Sequence, residues 1–253
     1  MLDQPTIEKL HQLRLFGFIE ELRRQDEKRQ DYAKMSFYER LGFCVEREWL
    51  VRENKRLTQL LRRAKLRQPA CMEDIDYTHP RPGLERATMR QLARCTWVRE
   101  QQSLLITGPT GVGKSYIACA LVDQACREGF TALYTRLPRL LAEIDLARTD
   151  GSYSRLVRRL GKVNLLVFDD WGLAPLGQME RLAVLDILEE RQDTGALIAV
   201  SQLPVKAWHA LVGDNTIADA IIDRLTSQSI RLEIEGDSIR PHKKKLRKEK
   251  QSE

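Results

Sequence analysis

Gly108-Pro-Thr-Gly-Val-Gly-Lys-Ser115 is the stretch that decides the fold of this chain. An apolar strand candidate, 103–107, precedes it, and a helix candidate, 114–128, begins within it. Its glycines let successive backbone N–H groups converge on a phosphate, and a helix N-terminus favours an anion. Lys114 would reach the β- and γ-phosphates, and Ser115 would coordinate Mg²⁺. The alternative is a glycine turn without a ligand. The predicted nucleotide contacts are Gly108, Thr110, Gly111, Val112, Gly113, Lys114 and Ser115.

On both sides of this loop, short apolar segments alternate with helical stretches. The strand candidates are 103–107, 130–135, 163–168, 196–201 and 230–234, with helices expected at 114–128 and 179–192. Strand–helix alternation predicts a parallel sheet that helices cover on both faces. We therefore expect an α/β fold, a phosphate-loop core with a doubly wound parallel sheet.

Polar side chains follow two of these strand candidates. Asp169 and Asp170 come directly after an apolar run, and Gln202 follows the strand 196–201. Acids at the tip of a buried strand are costly without a cation, and open parallel sheets bind ligands at their carboxyl edge. We expect Asp169 to hold the Mg²⁺ water shell, Asp170 to polarise an attacking water, and Gln202 to contact the γ-phosphate or that water. The alternatives are a helix cap for the acids and an ordinary polar strand end for Gln202.

The pair Asp223-Arg224 interrupts an otherwise apolar helical run. One interpretation is an intrahelical or surface ion pair. The other is an arginine finger, which a subunit supplies to its neighbour's γ-phosphate. Both interpretations stay open at the level of sequence.

The N-terminal part of the chain is predicted to be helical. Ser36 and Glu39 form a capping-box pattern, and residues 47–67 carry eight Lys and Arg against two Glu, a net charge of +6. Pro69 and the turn-rich residues 79–83 indicate a linker. The predicted domains are a helical domain at 1–75, a linker and lead-in helix at 76–100, a core at 101–240 and a basic disordered tail at 241–253.

Composition excludes several classes of protein. The 253 residues carry a net charge of +6, but the charge is uneven: +5 over 1–100, −4 over 101–239 and +5 over 240–253. The five cysteines are scattered and never form C-x-x-C, which predicts a reducing compartment without a disulfide framework or zinc site. No apolar stretch approaches the ~20 residues that cross a bilayer, and the first residues lack a secretion-signal pattern. Secreted, membrane and zinc-binding classes are therefore set aside.

The order of the phosphate loop, the two acids, Gln202 and Arg224 resembles that of the AAA+ ATPases. The chain is most similar to the IstB/DnaC-like helpers, in particular to the IstB helper ATPases of bacterial insertion sequences, and the resemblance covers nearly the whole chain. Besides the phosphate loop, segments that carry it include Met35-Ser-Phe-Tyr-Glu-Arg40, Glu48-Trp49, Arg136-Leu-Pro-Arg139, Asp169-Asp-Trp-Gly172, Ser201-Gln-Leu-Pro204 and Ile217-Ala-Asp-Ala-Ile-Ile-Asp-Arg224.

The resemblance implies roles by position: Lys114 and Ser115 as Walker A, Asp169 and Asp170 as Walker B, Gln202 as sensor I, Arg224 as arginine finger, and Arg240 as a candidate sensor II. Two positions depart from the wider AAA+ pattern. Asp170 stands where most members have Glu, and Gln202 stands where Asn is usual. Because Asp170 is one methylene shorter than Glu, we expect weak water activation and slow hydrolysis.

The resemblance also implies cofactors and partners. Such helpers use ATP and Mg²⁺, assemble on double-stranded DNA as ATP-dependent oligomers, remodel the DNA, and recruit and stimulate a transposase in the bacterial cytoplasm. A replicative helicase loader of the DnaC type is the alternative. A kinase or GTPase is disfavoured, because the chain lacks a guanine-reading N-K-x-D or T-K-x-D run and a kinase would not need a basic N-terminal domain.

Two groups of arginines are candidates for backbone contact with DNA without sequence preference. The first group follows the second core strand, on two expected short helices, and the second lies within residues 47–67, which could contact DNA or transposase. A solvated helix surface and packing within the N-terminal domain are the respective alternatives, and the lysine-rich tail would add only nonspecific affinity. The arginines are Arg136, Arg139, Arg155, Arg158 and Arg159 in the first group and Arg56, Arg62 and Arg63 in the second.

Overall fold

The computed structural model describes residues 4–239, and the chain divides into two compact units between residues 59 and 60. The predicted domain boundary at residue 75 therefore falls inside the second unit. Arg240 and the basic tail at 241–253 lie outside the described residues. In the described part of the chain, no helix is long and apolar enough to cross a membrane.

The first unit is helical. Its helices are α1 (Gln4–Gln12), α2 (Phe16–Glu27), α3 (Arg29–Tyr32) and most of α4 (Phe37–Ala64), which runs on into the second unit. The predicted capping box begins α4: the Glu39 carboxylate accepts a hydrogen bond from the Ser36 N–H at 2.7 Å, and the Ser36 Oγ accepts one from the Glu39 N–H at 3.3 Å. Two otherwise unpaired donors at the helix start are thereby satisfied.

Glu48 joins α4 to the start of α2. Its buried carboxylate accepts hydrogen bonds from the N–H groups of Gly17 at 2.8 Å and Phe18 at 3.2 Å, and it pairs with Arg52 at 2.6 Å. A Cβ on Gly17 would lie only 2.7 Å from the Arg47 carbonyl oxygen, so glycine allows the two helices to cross closely. Packing across this crossing, rather than helix propensity, holds the unit together.

The second unit contains a five-stranded parallel sheet, which confirms the predicted α/β fold. The strands are β1 (Ser103–Thr107), β2 (Ala132–Arg136), β3 (Leu165–Trp171), β4 (Ala196–Ser201) and β5 (Ser229–Glu233), in the spatial order β2-β3-β4-β1-β5. The helices are α5 (Arg86–Ala93), α6 (Thr96–Arg99), α7 (Lys114–Arg127), α8 (Leu137–Thr149), α9 (Tyr153–Gly161), α10 (Gln178–Arg191), α11 (Trp208–Val212) and α12 (Asn215–Thr226), with a 3-10 turn at Val205–Ala207.

Two strands run further than their apolar patterns predict. β3 continues through Asp169 and Asp170 to Trp171, with an irregular register between Phe168 and Trp171. The two acids predicted at the end of this strand therefore lie among its last residues, where a bulge accommodates them. β2 likewise includes Arg136, which pairs in register with Asp169, so the expectation that Arg136 lies on a helix was wrong.

The centre of the sheet is completely buried in the core. Residues 165–168 of β3 are completely buried and apolar, as expected for a parallel strand covered on both faces. Trp171 at the end of β3 packs against Trp208 of α11, with ring centroids 5.6 Å apart. This packing supports the carboxyl edge of the sheet, where the polar strand ends gather.

Candidate functional site

The phosphate loop lies where the sequence predicts it, between β1 and α7. Gly113 precedes the first residue of α7 and has φ = 99°, a conformation that suits glycine. A Cβ on Gly108 would lie 2.0 Å from the Ile234 carbonyl oxygen, so a side chain there would displace the strand end beside the loop. The local geometry therefore explains two of the glycines independently of any ligand.

Lys114 is buried at the start of α7. Its ammonium donates hydrogen bonds to the carbonyl oxygens of Gly108 at 2.6 Å and Pro109 at 2.8 Å. These bonds hold a positive charge against the loop, next to a helix N-terminus that also favours anions. A cavity of about 510 Å³ opens here. Its lining includes Thr110, Gly111, Gly113, Lys114, Ser115, Asp169, Asp170 and Gln202.

Asp169 is the most heavily bonded carboxylate of this cavity. It is 1% exposed, and it accepts hydrogen bonds from the Ser115 hydroxyl at 3.2 Å and from the Asp170 N–H at 2.9 Å. The Tyr134 hydroxyl donates to it as well; burial and this hydrogen bond raise the pKa of Tyr134. Ser115 and Asp169 together present hard oxygen donors beside the phosphate loop, which is the donor set that Mg²⁺ prefers.

Asp170 has a different environment from its neighbour. Its φ is +60°, an uncommon backbone conformation for a residue with a side chain, and its carboxylate pairs with the Arg136 guanidinium at 2.5 Å. Arg136, predicted to contact DNA, is thus placed beside Asp170 by the structure, although it does not line this cavity. Sparsely populated backbone conformations of this kind concentrate at functional sites.

Gln202 completes the carboxyl edge of the sheet. Its Oε1 accepts a hydrogen bond of 2.6 Å from the Thr110 hydroxyl, which ties the end of β4 to the phosphate loop. The ends of β1, β3 and β4 therefore converge on one cavity, as expected for ligand binding in an open parallel sheet. The predicted residues of the loop, the two acids and Gln202 are all brought together.

Arg224 does not line this cavity. It lies on α12, where its guanidinium donates to the Ala220 carbonyl oxygen at 3.0 Å and pairs with Glu189 at 3.0 Å. Within one subunit, the arrangement is the ion pair that the sequence left open as the first interpretation. A role at a neighbouring subunit's nucleotide remains a prediction.

Arg67 reaches this site although no sequence motif predicts it there. Its Nη1 lies 3.4 Å from an Asp169 oxygen, although 102 residues separate the two in the chain. Burial lowers the pKa of Arg67, but hydrogen bonding to Tyr134 and the nearby charges of Asp169 and Asp170 raise it overall. Its only signal in the sequence is the excess of positive charge in residues 47–67.

Arg81 is a second missed residue. It is buried, and its guanidinium donates to the Val112 carbonyl oxygen of the phosphate loop at 2.9 Å and to the Asp76 carbonyl oxygen. The Ile239 N–H also donates to the Gly111 carbonyl oxygen at 3.1 Å. The residues predicted as a linker at 79–83 are therefore part of the support of the loop. The Pro and Gly content suggested a connector, because a buried arginine leaves no local pattern.

The remaining candidate arginines are exposed. Arg139 lies on α8 and Arg155, Arg158 and Arg159 lie on α9, where Arg159 pairs with Glu143 at 2.6 Å. Arg56, Arg62 and Arg63 lie on α4, where Arg56 is 3.7 Å from Glu53. None of these seven lines the cavity beside the phosphate loop, called the nucleotide cavity below.

Comparison with known proteins agrees with this geometry. The family described as IstB-like ATP binding protein matches residues 8–247. An insertion-sequence ATP-binding protein of Sinorhizobium fredii is 45% identical over 248 residues, covering 97% of this chain and 99% of the relative. The ATP-binding protein of insertion sequence IS1162 of Pseudomonas fluorescens is 44% identical, covering 81% of this chain and 88% of the relative.

Solved structures share the fold. DnaI has a TM-score of 0.56 at 19% sequence identity, with 72% of this chain and 93% of DnaI covered. The DnaC helicase loader has a TM-score of 0.56 at 18% identity, with 65% of this chain and 96% of that one covered.

Proposed function

Because the chain belongs to the IstB-like ATP binding protein family, we propose that it is an ATP-hydrolysing helper of an insertion sequence. We propose further that, in the bacterial cytoplasm, it assembles on double-stranded DNA and recruits or stimulates a transposase. The observation that carries the proposal is the convergence of the phosphate loop, Asp169, Asp170 and Gln202 at one edge of the sheet. Relatives at 45% and 44% identity are named as ATP-binding proteins of insertion sequences.

Each residue of the cavity has a role that its position supports. Lys114 binds phosphate oxygens, and Ser115 and Asp169 hold Mg²⁺. The metal, when bound, neutralises charge that develops on the phosphates. Asp170 accepts a proton from the attacking water, and Gln202 orients that water or the γ-phosphate. Asp170 is short and is paired with Arg136 at 2.5 Å, which supports slow basal hydrolysis.

Contact with DNA is supported by exposed arginines that do not belong to the nucleotide cavity. Arg56 and Arg62 project from α4. Such side chains bind phosphates without reading bases, so binding should weaken steeply with salt and depend little on DNA sequence.

Assembly of subunits is proposed to depend on Arg224 acting on a neighbour's nucleotide. Arg224→Ala should abolish ATP-dependent oligomers on duplex DNA, seen by light scattering, while ATP binding to a single subunit survives. Lys114→Ala should instead lose ATP binding itself. The matched control is Arg99→Ala, which removes another ion-paired helical arginine, 3.4 Å from Glu128. If Arg224→Ala still assembled and hydrolysed ATP normally, the proposed role of Arg224 as an arginine finger would be wrong.

A helicase loader is the alternative, since DnaI and DnaC share the fold. The higher identity to insertion-sequence proteins favours the transposition role. Affinity capture with the product of the neighbouring gene distinguishes the two functions: a transposase supports the proposal, and a replicative helicase contradicts it.

A further inference from the structure

A second and larger cavity lies beside β2, away from the phosphate loop. It measures about 1080 Å³ and is bounded by residues 60–67, by β2 and by helices α8 and α9. We call this cavity the basic cleft. It differs from the nucleotide cavity in having a cationic rim, an apolar floor and a strand edge along one side.

The rim of the basic cleft is rich in unpaired positive charge. Six of its cations are exposed, and within residues 4–239 they form no ion pair. Glu143 is the acid among the lining residues, and it already pairs with Arg159 at 2.6 Å. An anionic ligand is therefore strongly favoured. The six cations are Arg63, Lys65, Arg139, Arg155, Arg158 and Lys162.

The floor of the basic cleft is apolar. Leu66, Leu133 and Val163 are half-buried, and Leu140 and Leu160 are buried beneath them. A nucleic acid backbone could pair with the rim, but its phosphates and sugars gain little from leucine and valine. A polypeptide with alternating acidic and apolar side chains would use both the rim and the floor.

β2 is an edge strand whose outer side faces the basic cleft. In the described part of the chain, β2 pairs with β3 alone. The Thr131 carbonyl oxygen accepts a hydrogen bond from the Leu165 N–H on the β3 side. Because peptide groups alternate along a strand, Ala132 and Tyr134 direct theirs to the open edge. An open edge of this kind is a template for strand addition.

We propose that the basic cleft binds an extended acidic segment of a partner polypeptide, which adds beside β2 as a sixth strand. A segment of about five residues would match the five residues of β2. The chain's own C-terminal residues are an unsuitable occupant, because residues 240–253 carry a net charge of +5.

A segment bound in the basic cleft would also change the ion pairs of the two acids in the nucleotide cavity. Arg67 and Arg136 line the basic cleft and at the same time pair with Asp169 and Asp170. Carboxylates of the added segment compete for these two guanidinium groups and so release the acids that the nucleotide needs. This coupling rests on the proposed ATPase function, whereas binding of the segment does not.

The test uses the full chain and a fluorescent octapeptide that alternates Glu and Val. We expect saturable binding by fluorescence anisotropy and at least tenfold weaker binding to Arg63→Glu. The matched control is Arg62→Glu, the adjacent exposed arginine, which does not line the basic cleft. An N-methylated octapeptide of the same sequence, which cannot donate main-chain hydrogen bonds, should also bind at least tenfold more weakly.

Three results would overturn the proposal. The first is that the N-methylated octapeptide binds as tightly as the unmodified one. The second is that Arg62→Glu and Arg63→Glu weaken octapeptide binding equally. The third is that a 20-base-pair duplex displaces the octapeptide and that duplex binding is weakened by Arg63→Glu but not by Arg62→Glu. The last result would assign the basic cleft to DNA. If the octapeptide binds as expected but ATP hydrolysis does not change, the strand site stands and the coupling to the nucleotide fails.

Discussion

The two edges of the sheet differ: a chain segment lies against the end of β5, whereas the outer side of β2 faces an open cleft. At the β5 edge, the Pro82 carbonyl oxygen accepts a hydrogen bond of 2.9 Å from the Glu235 N–H, and Gly83 lies against the Glu233 carbonyl oxygen. At the β2 edge, no described strand pairs with the outer side of β2, and the basic cleft lies alongside it. The covered edge supports the phosphate loop, because Arg81 of the covering segment bonds the Val112 carbonyl oxygen.

Under the proposals above, the sheet uses one edge to hold the nucleotide and the other to respond to a partner. Rigid support suits the side that carries the phosphate loop, because binding geometry must be kept without reorganisation. An uncovered edge with half-exposed cations suits the side where Arg136 and Arg67 meet the two acids, since competing ligands can reach those cations. The predictions below test each side, from the largest expected effect to the smallest.

Breaking the covered edge should have the largest effect. Gly83 has φ = 85°, and a Cβ there would lie 1.7 Å from the Glu233 carbonyl oxygen. Gly83→Ala should therefore destabilise the second unit by roughly 3 kcal/mol or more and weaken ATP binding. Urea unfolding and calorimetric ATP titration measure both effects. In Gly151→Ala, where φ is also positive but no atom lies within 4 Å, the loss should be about 1 kcal/mol. Equal losses would mean that the covering contact is unimportant.

Freeing Asp170 at the open edge should change catalysis rather than stability. Arg136→Ala removes the guanidinium that occupies the Asp170 carboxylate, so that carboxylate can accept the proton of water. Basal ATP hydrolysis should rise about fivefold to tenfold, or roughly 1 kcal/mol in activation free energy. Arg139→Ala is the control, since Arg139 also lines the basic cleft but pairs with neither Asp169 nor Asp170. A lower basal rate in Arg136→Ala would make Arg136 a catalytic contributor instead.

Freeing Asp169 should have a smaller effect, on the affinity for divalent cations. The Arg67 guanidinium, 3.4 Å from Asp169, competes for the oxygen that a cation would use. Arg67→Ala should tighten Mn²⁺ binding in the presence of ATP by about threefold, or roughly 0.7 kcal/mol, as measured by electron paramagnetic resonance. Arg67→Lys keeps the positive charge, so its affinity for Mn²⁺ should lie between those of the native chain and Arg67→Ala. Weaker Mn²⁺ binding in Arg67→Ala would show that Arg67 positions Asp169 instead.

Lowering the pH should slightly reduce the stability of the segment that covers the β5 edge. Hydrogen bonds from the Thr78 side chain and N–H lower the pKa of Asp76 from 3.8 to about 2. A lowered folded-state pKa adds stability above pH ~4 that is lost as the pH falls towards 2. Because this carboxylate is 37% exposed, the contribution should be only about 1 kcal/mol after screening. Urea unfolding at pH 7 and pH 3 should show this extra loss in the native chain and not in Asp76→Asn.

Much of the fold could be predicted from local patterns. β1 and β4 occupy the predicted residues, and the phosphate loop opens α7 as expected. Apolar runs and glycine spacing are local properties, and they survive in any tertiary setting. The end of β3 was mispredicted, because the apolar pattern stops at Phe168 whereas the hydrogen-bonded ladder continues to Trp171.

The sequence by itself determined the phosphate loop, the acids at one strand end and the family, because each depends on residue types at short spacing. Tertiary structure alone decided which cation meets which carboxylate: Arg136 meets Asp170, Arg67 meets Asp169, and Arg81 supports the loop. Such pairs join segments far apart in the chain, and many arginines could satisfy the same charge pattern. Packing of the strands and of the segments beside them selects one partner for each acid, since only the folded backbone sets the distances between them.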